Sequence, residues 1–569
     1  MKTFSRHRRV LRRRISFTTL CAVAALTAIP AITLGADVTP ARLLHADQEP
    51  QNWLTYYGNY RGWRYSTLPQ INTSNVQKLT VKWTFVPGAE EDFQVTPMVA
   101  DGIMYLTTPK HSVYALDATS GKVLWRYNHK FPENMAVSIW GPSKSRGVAL
   151  ARDRVLFATN DGQVIALDAK SGELKWATKA ADHEAGLGFI QPPLIVGDKA
   201  IVGTFTAEFA TRGFVAAYDV IGGKEVWRFN TVPGPGEPGN ETWSGDSWKY
   251  GCGPVILPPT YDAALNLVYM GTGNPCPMWN GEVRKGDNLY TNSILAIDPD
   301  TGKLAWHRQL IPHDVWDLDT FGEIVLVDSR IGGRLTKAAL QAGKTGYLYA
   351  LDRTEGRFLY AKPFVPRITW TKGLDTDGRP IPGALPGSTA ETLCPGALSG
   401  GKSWNQTAYS PQLDYIFIPA GDVCDDVKQV DVNPQPKASD LHMGGESTKL
   451  SSGGGLLSAF DVKTGEVKWQ YKSRYPMRSS VLATAGGLIF TGDLESNVLA
   501  FDARDGRLLW KFAAGSMPQN SMTYSVNGKQ YVAVGVGWGQ VLANFLPSYA
   551  PELASVPRGS LLLVFGLPD

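Results

Sequence analysis

The stretch VYALDATSGKVLW, residues 113–125, contains a pattern that recurs six more times along the chain. Each copy has an apolar start, Ala, a large apolar residue, then Asp-x-x-x-Gly and a final Trp, with small changes and with Tyr360 once in place of Trp. The other copies are VIALDAKSGELKW (164–176), VAAYDVIGGKEVW (215–227), ILAIDPDTGKLAW (294–306), YLYALDRTEGRFLY (347–360), LLSAFDVKTGEVKW (456–469) and VLAFDARDGRLLW (498–510). A unit of roughly 50 residues that recurs in this way indicates a repeat architecture.

Each copy predicts a β-hairpin that ends in a large aromatic ring. The apolar first half is typical of a strand, and Asp-x-x-x-Gly is typical of a turn, because Asp accepts backbone amides and Gly tolerates positive φ. A single hairpin is marginally stable. We therefore expect the units to stack so that each aromatic ring is buried against the next unit, as in a β-propeller. A linear β-solenoid is the alternative, but units with room for four strands favour the propeller.

The two ends of the chain predict how the ring closes. The final SLLLVFGLPD is similar to the first half of the pattern, and the early LTVKWTF, with Trp83, is similar to its return strand. Together they would form a further blade that leaves no free sheet edge. The fold class predicted is all-β: an eight-bladed β-propeller with tryptophan-docking repeats, its last blade closed by both termini. The long connections before Asp298 and Asp461 are predicted to be insertions that carry function.

The N-terminal segment predicts export. Residues 1–14 carry seven Lys and Arg and no acid, an apolar run follows from Ile15 to Leu34, and Gly35-Ala36 precedes Asp37. This is typical of a signal peptide over residues 1–36, which would leave residues 37–569 as one propeller domain; an uncleaved membrane anchor is the alternative. Without the segment the net charge falls from +4 to about −3, so nothing favours nucleic-acid binding, and no stable membrane span is expected to remain.

Four cysteines follow this segment: Cys252, Cys276, Cys394 and Cys424. In an exported chain they allow disulfides, with three possible connectivities. No Cys-x-x-Cys-His string and no zinc-type spacing occurs, so neither attached haem nor structural zinc is predicted.

Polar residues break the repeat at four places. Glu208 lies in TFTAEFATRG, Asn274 in VYMGTGNPCP, three aspartates (Asp314, Asp317 and Asp319) in PHDVWDLD, and Lys344 in LQAGKTGYLY. Taken singly, each has an ordinary interpretation. Glu208 could pair with Arg212, and Asn274 could be a turn residue. The aspartates could lie in a solvated loop, and Lys344 could be a surface charge. Loops at one end of a propeller converge on its axis, however. Carboxylates with an amide oxygen suit Ca²⁺ or a larger hard cation, and a nearby Lys can donate to an anionic or carbonyl ligand.

These strings, together with NWLTYYGNYRGWRYSTLPQINTSNV (52–76), resemble the quinoprotein alcohol dehydrogenases, eight-bladed periplasmic enzymes that use pyrroloquinoline quinone (PQQ). The resemblance implies that Glu208, Asn274 and Asp317 bind the metal ion and that Asp317 is also the catalytic base. It implies that the cofactor is bound by a second set of residues: Gln94, Arg146, Ala207, Lys344, Asn405 and Trp538. It further implies a disulfide between Cys394 and Cys424, and makes no prediction of a bond between Cys252 and Cys276.

Three positions depart from the family. The stretch SIWGPSKSR lacks the two adjacent cysteines of the methanol-oxidising branch, Gln94 replaces a cofactor-binding glutamate, and Ile256 replaces the tryptophan on which the quinone usually lies. Asp319 resembles an aspartate of the lanthanide-using branch and would be a fourth metal ligand, although the glucose dehydrogenase branch has the same Asp-x-Asp without using lanthanides. Asp319 could instead face a basic residue or solvent, so Ca²⁺ and a lanthanide ion both remain open.

The resemblance implies a periplasmic oxidoreductase that moves hydride from an alcohol or sugar-type hydroxyl to PQQ. Its electrons would leave to a separate acceptor, a cytochrome c or a quinone. The alternative is a non-catalytic propeller scaffold of the outer-membrane assembly lipoprotein type, which shares the repeat but lacks the site. That class carries a lipid-attachment cysteine after a small residue, whereas Cys21 follows Leu20.

Overall fold

The computed structural model describes residues 1–3, 36–88, 93–133, 144–206, 208–383, 385–448, 453–538 and 550–568. Two predicted features fall largely or wholly outside these ranges: the signal peptide and Ala207. The segment Gly35–Asp569 forms one compact unit by its internal contacts.

Nearly all regular structure in the described residues is β. The single α-helix there, α1, is short (Pro40–Leu44), and two short strands, β1 (Tyr65–Ser66) and β2 (Thr80–Phe85), follow it. Short 3₁₀ turns occupy Ala46–Gln48, Val76–Lys78, Pro109–His111, Asn240–Thr242, Ser247–Tyr250 and Pro551–Ser555.

Within the described residues, these two strands and most of the others form eight larger sheets, which we number in chain order. Seven of them have four antiparallel strands, and sheet 7 has β1 as a fifth strand; the strands of the insertions form two smaller sheets, one of two strands and one of three. Sheet 1 contains β3 (Met98–Ala100), β4 (Ile103–Thr107), β5 (Ser112–Asp117) and β6 (Val123–Asn128); sheet 2 contains β7 (Ala149–Ala151), β8 (Arg154–Ala158), β9 (Gln163–Asp168) and β10 (Leu174–Lys179); sheet 3 contains β11 (Leu194–Val196), β12 (Lys199–Gly203), β13 (Phe214–Asp219) and β14 (Glu225–Asn230); sheet 4 contains β15 (Thr260–Asp262), β16 (Leu267–Gly271), β17 (Ser293–Ile297) and β18 (Leu304–Gln309).

Sheet 5 contains β19 (Val325–Ile331), β20 (Arg334–Ala342), β21 (Tyr347–Asp352) and β22 (Arg357–Pro363). An insertion follows with β23 (Thr371–Leu374), β24 (Pro380–Pro382) and β25 (Glu391–Leu393). Sheet 6 then contains β26 (Ala408–Ser410), β27 (Tyr415–Gly421), β30 (Gly455–Asp461) and β31 (Val467–Ser473). A second insertion, with β28 (Asp425–Gln429) and β29 (Gly445–Thr448), lies between β27 and β30. Sheet 7 contains β32 (Leu482–Thr484), β33 (Leu488–Gly492), β34 (Asn497–Asp502) and β35 (Leu508–Ala513); sheet 8 contains β36 (Pro518–Val526), β37 (Lys529–Val536), β38 (Leu561–Gly566) and β2.

The two terminal segments meet in sheet 8. Strand β2 pairs antiparallel with β38, with Thr80 opposite Gly566 and Phe85 opposite Leu562. Strand β1 adds to the edge of sheet 7 by parallel pairing with β32. The N-terminal region therefore supplies strands to the last two sheets of the chain.

The repeated Trp joins one sheet to the next. The indole Nε1 of Trp125 in sheet 1 donates to the carbonyl of Ala169 in sheet 2 over 3.0 Å, and that of Trp176 in sheet 2 donates to Val220 in sheet 3 over 3.0 Å. Equivalent bonds start from Trp83, Trp227, Trp306, Trp469 and, through its hydroxyl, Tyr360. Each acceptor is the residue directly after the repeated Asp, so the repeat supplies both halves of the joint.

The turn glycine of the repeat has two reasons to be Gly. At Gly172, φ is +75°, and a Cβ would lie 2.6 Å from the indole of Trp125. The aspartate orders the same turn: Asp168 Oδ1 accepts the amides of Lys170 and Ser171 at 3.0 and 2.9 Å. The pattern seen in the sequence is therefore a turn shaped to receive the aromatic ring of the preceding sheet.

The last-named strand is the least buried strand of each sheet. In sheet 1, β3 to β5 are buried almost throughout, whereas β6 alternates between exposed and partly exposed positions. No helix in the described part of the chain combines the length and apolarity needed to cross a bilayer.

Candidate active site

Connections on one side of several sheets line a cavity. Six of the residues predicted from sequence line it: Gln94, Arg146, Glu208, Asp317, Asp319 and Lys344. They come from segments before β3, before β7, after β12, before β19 and after β20. The cavity thus brings together residues that are up to 250 positions apart in the chain.

Lys344 binds both aspartates at the centre of this group. Its Nζ lies 3.1 Å from Oδ2 of Asp317 and 2.6 Å from Oδ2 of Asp319, and it also donates to the main-chain carbonyl of Asp317 over 3.0 Å. All three side chains are buried. Of the two alternatives for Asp319, contact with a basic residue is the arrangement in the structure, and it coexists with a place on the cavity wall.

Burial and charge act in opposite directions on these groups. Burial raises the pKa of Asp317 well above its usual value, the ammonium of Lys344 lowers it, and the nearby carboxylates, Asp319 first, raise it again. Burial lowers the pKa of Lys344, but the charges of Asp317 and Asp319 outweigh that effect and the net shift is upward. The lysine therefore remains a cation, and it lies between two carboxyl groups in a buried part of the cavity wall.

Two of the acidic residues have backbone conformations that L-residues rarely adopt. The φ angle is +61° at Glu208 and +59° at Asp317. Such conformations cost about 1–3 kcal/mol and persist only where the surroundings hold them. At Glu208 part of that support is the main-chain amide of His442, which donates to the Glu208 carbonyl over 2.8 Å.

The GTGNP string packs Asn274 against the aspartate segment. A Cβ at Gly273 would lie 2.6 Å from Oδ1 of Asp319, and a Cβ at Gly271 would lie 1.9 Å from the Thr320 carbonyl. This close approach lets the main-chain amide of Asn274 donate to Asp319 Oδ1 over 2.9 Å. Asn274 is buried behind the wall rather than on it.

Arg146 forms a cationic part of the wall. Its Nε donates to Oε1 of Gln94 over 3.0 Å, its Nη1 donates to the carbonyl of Ile256 over 2.6 Å, and its guanidinium lies 4.9 Å from the ring centroid of Trp404. Gln94, which stands where the family has a glutamate, therefore binds Arg146 as a neutral acceptor.

Two predicted cofactor residues are near the cavity but do not line it. Asn405 is buried and its Nδ2 donates to the Met477 carbonyl over 3.2 Å. Trp538 packs in a cluster with Met517, and Met517 does line the cavity. For Ala207 the structure gives no description.

Several lining residues were not predicted from sequence. They are apolar (Ile190, Phe205, Phe321, Ala397, Leu398, Trp404 and Met517) or polar (Lys144, Ser403, Arg478 and Gln519). Trp404 and Lys144 adjoin predicted residues in GGKSWNQ and SKSRGVAL, which was the only available signal. Ile190, Ile256, Phe321 and Trp404 form one apolar cluster.

Asp314 has a structural role instead of facing the cavity. Its carboxylate accepts the amides of Trp316 and Leu318 at 2.9 and 3.0 Å and the Nδ2 of Asn292 at 2.7 Å. These bonds shape the turn that presents Asp317, so Asp314 is a poor candidate for a base.

The donor set suits a hard cation. Carboxylate and amide oxygens are the ligands that such ions prefer. The charges of Asp319 and Glu208 both raise the pKa of Asp317, and a bound cation would balance the negative charge of the three groups. Within the described residues, no three Asp, Glu, His or Cys side chains form a ready-made metal cluster. In the structure, the ammonium group of Lys344 contacts two of the carboxyl groups. A ligand set for a cation here needs the side-chain amide oxygen of Asn274 as well.

Both cysteine pairs are bonded. The predicted disulfide Cys394–Cys424 is confirmed, with the two Cα atoms 4.5 Å apart. Cys252 and Cys276, for which no bond was predicted, also form a disulfide, with a Cα separation of 5.2 Å. The sequence had left this second pairing open.

Comparisons with known proteins identify the family of the chain. Residues 53–367 match the family described as the glucose/ethanol/alcohol dehydrogenase β-propeller domain with PQQ, and residues 392–545 match that of the outer membrane protein assembly factor BamB. The quinoprotein alcohol dehydrogenase PedH of Pseudomonas putida is 36% identical over 94% of this chain and 94% of its own. The quinohemoprotein alcohol dehydrogenase ADH IIB of Pseudomonas putida is 36% identical over 97% of this chain and 82% of its own.

Solved structures give the same result. The quinohemoprotein alcohol dehydrogenase ADHIIG from Pseudomonas putida HK5 aligns with a TM-score of 0.88 and 33% identity over 94% of this chain and 83% of its own. A europium-containing methanol dehydrogenase aligns with a TM-score of 0.86 and 32% identity over 93% of this chain and 100% of its own. The fold is thus a β-propeller, as predicted, and the assembly-factor match covers only the C-terminal part. The chain belongs to the family of PQQ-dependent quinoprotein alcohol dehydrogenases.

Proposed function

We propose that this protein is an exported quinoprotein dehydrogenase that oxidises an alcohol or a sugar-type hydroxyl with PQQ and a bound Ca²⁺ or lanthanide ion. The observation that carries the proposal is the cavity in which Lys344 binds Asp317 and Asp319 beside Glu208 and Arg146. An isolated propeller scaffold has no need for such a buried cluster of charges, which is costly unless it has a role.

The walls of the cavity fit a flat, anionic cofactor. Apolar side chains, Ile256 and Trp404 among them, provide surfaces for a ring system, and Lys144, Arg146 and Arg478 provide positive charge around it. Ile256 offers an aliphatic surface where the family usually has an indole. Arg146 and Lys344 would bind the oxygen atoms of the cofactor by charge-assisted hydrogen bonds.

Glu208, Asn274, Asp317 and Asp319 would hold the cation. When bound, PQQ and its cation supply an electrophilic two-electron acceptor for the hydride of the alcohol. Asp317 would accept the hydroxyl proton of the substrate at its carboxylate, as a general base does within hydrogen-bond reach. Lys344, which contacts Asp317 at 3.1 Å, opposes the rise in the pKa of Asp317 that burial causes and offers a fixed positive charge beside the reacting atoms.

Residues 37–569 are proposed to form an eight-bladed ring. The successive Trp bonds between neighbouring sheets, the pairing of β2 with β38, and the contact of Trp510 in sheet 7 with Phe565 in sheet 8 at 5.3 Å support this arrangement. Residues 1–36 are proposed to be a signal peptide for the periplasm, where a cytochrome c or a quinone would accept the electrons.

A dye-linked oxidation assay tests the proposed function. The purified protein is reconstituted with PQQ and either Ca²⁺ or La³⁺, and a panel of primary alcohols, secondary alcohols and sugars is supplied. Dye reduction should require the quinone, a cation and an alcohol together. Turnover without added quinone, or none with any hydroxyl compound, would refute the proposal.

A further inference from the structure

We propose that the buried disulfide Cys252–Cys276 positions two of the cation ligands, Glu208 and Asn274, by locking together the segments that carry them. The inference rests on the proposed function, because it takes these two residues as ligands. The three segments concerned are 208–213, 251–254 and 273–276, which we call the ligand clamp.

Segment 251–254 is the middle part of the ligand clamp. On one side, the amide of Cys252 donates to the Thr211 carbonyl over 2.8 Å, and the amide of Gly213 donates to the Cys252 carbonyl over 2.8 Å. Sγ of Cys252 also lies 3.3 Å from the carbonyl oxygen of Phe209, the residue that follows Glu208. The middle segment therefore supports the backbone next to Glu208.

On its other side, segment 251–254 pairs with the segment of Asn274. The amide of Gly253 donates to the Asn274 carbonyl over 3.1 Å, and the amide of Cys276 donates to the Gly251 carbonyl over 3.2 Å. The amide of Gly273 donates to the Pro254 carbonyl over 2.8 Å. The disulfide adds a covalent bond to this side, two residues past the ligand.

Both strain and charge oppose this arrangement. Cys252 has a φ of +57° and Glu208 a φ of +61°, so each backbone needs support from its surroundings. Glu208 also adds its negative charge to that of Asp317 and Asp319. A ligand segment under such forces would move away unless it were held, and the disulfide restricts that movement before the cation arrives.

The disulfide is buried. Cys252 and Cys276 are each 1% exposed, so a reductant in solution has no direct access to the bond. The role of the disulfide in positioning the two ligands is therefore tested by substitution of both cysteines.

The other disulfide provides a matched control. Cys394–Cys424 spans 30 residues and Cys252–Cys276 spans 24, so the two should stabilise the fold by similar amounts. Cys394–Cys424 adjoins the wall residues Ala397 and Leu398, and none of the four proposed ligands lies in its two segments. A difference between the two double variants in cation binding would therefore reflect position and not general stability.

The test is a calorimetric titration of Ca²⁺ and of La³⁺ into wild type, C252A/C276A and C394A/C424A, each with the same excess of PQQ present. The C252A/C276A variant should bind the cation about 10-fold or more weakly, as expected when a group that orients metal ligands is lost. The C394A/C424A variant should bind within about 2-fold of wild type. Equal affinity in all three proteins, or an equal loss in both variants, would overturn the proposal.

Hydrogen–deuterium exchange without added cation gives a second test. The amides of Gly213, Gly253 and Gly273, which donate within the ligand clamp, should exchange faster in C252A/C276A than in wild type, and C394A/C424A should leave their exchange unchanged. Equal exchange of these amides in all three proteins would contradict the inference. If wild type binds neither cation in the titration, the proposed function itself fails; if wild type binds and C252A/C276A binds equally well, only the role of the disulfide fails.

Discussion

At the scale of single residues, the site is a balance of buried charges. Lys344 is a buried cation between the carboxyl groups of Asp317 and Asp319, and its charge opposes the rise in pKa that burial causes at Asp317. Glu208 adds a further carboxylate on a strained backbone. Each of these residues would be expensive to keep in a propeller that bound nothing.

The role of Asp317 predicts the behaviour of Asp317→Asn. The variant should bind PQQ as wild type does, because the amide keeps the size and one oxygen of the carboxylate, but turnover should fall about 10²–10⁴-fold, since the amide cannot accept the proton. Quinone binding is followed by absorption and turnover by dye reduction. Near-normal turnover would assign the base to another group.

The role of Asp319 predicts a change in cation preference. Its Oδ1 accepts the Asn274 amide and its Oδ2 contacts Lys344. If its charge attracts the ion, Asp319→Ala and Asp319→Asn should both lose more affinity for La³⁺ than for Ca²⁺, because the Coulomb energy grows with ionic charge. Asp319→Asn is the control for shape, since it keeps the acceptor for Asn274. Unchanged affinities in both variants would remove Asp319 from the ligand set.

At the scale of elements, neighbouring sheets are joined by a contact in which the Trp of one sheet packs against the turn glycine of the next. The sequence predicted this joint because its parts, Asp, Gly and Trp, repeat at fixed spacing within each copy. Gly172 shows why the position tolerates no other residue: its φ is positive and the indole of Trp125 occupies the space of a Cβ.

Gly172→Ala should therefore destabilise the protein more than Gly528→Ala. The two glycines have φ angles of +75° and +76°, but a Cβ at Gly528 meets nothing within 4 Å. Both variants carry the backbone strain, about 1–2 kcal/mol, and only Gly172→Ala adds a clash with the indole, about 1–3 kcal/mol more. Chemical unfolding measures both. Equal losses would mean that the Trp contact adds nothing to the requirement for Gly.

The sequence predicted less about the elements around the cavity. Glu208, Asp317 and Lys344 could be identified because they interrupt an apolar repeat. Trp404 and Phe321 could not, because apolar residues are common at buried positions and only the fold brings these two together. The bond between Cys252 and Cys276 was equally hidden, because it depends on the pairing of two irregular segments for which no local pattern exists.

At the scale of the whole molecule, strands from the N-terminal and C-terminal parts of the chain meet in one sheet. Strand β38 lies between β2 and β37 in sheet 8, and Phe565 contacts Trp510 and Phe512 of sheet 7 at 5.3 and 5.0 Å. The sequence indicated this pairing only because each terminal segment is similar to half of a repeat.

A chain that ends after Ser560 should therefore lose most of its stability, because it leaves β2 and β37 without their shared partner and exposes Trp510. A chain that ends after Leu567 keeps β38 complete and should unfold as the full chain does. Thermal unfolding of the two chains makes the comparison. A stable, cooperatively folded chain without residues 561–569 would contradict the proposed closure of the ring.

The most direct test of the central claim is an equilibrium titration of the protein with PQQ, followed by absorption, with and without Ca²⁺ or La³⁺. The account predicts one quinone per chain, binding that requires a cation, a spectrum that changes when an alcohol is added, and a large loss of affinity in Lys344→Ala. Failure to bind the quinone with either cation, or binding that Lys344→Ala leaves unchanged, would contradict the account.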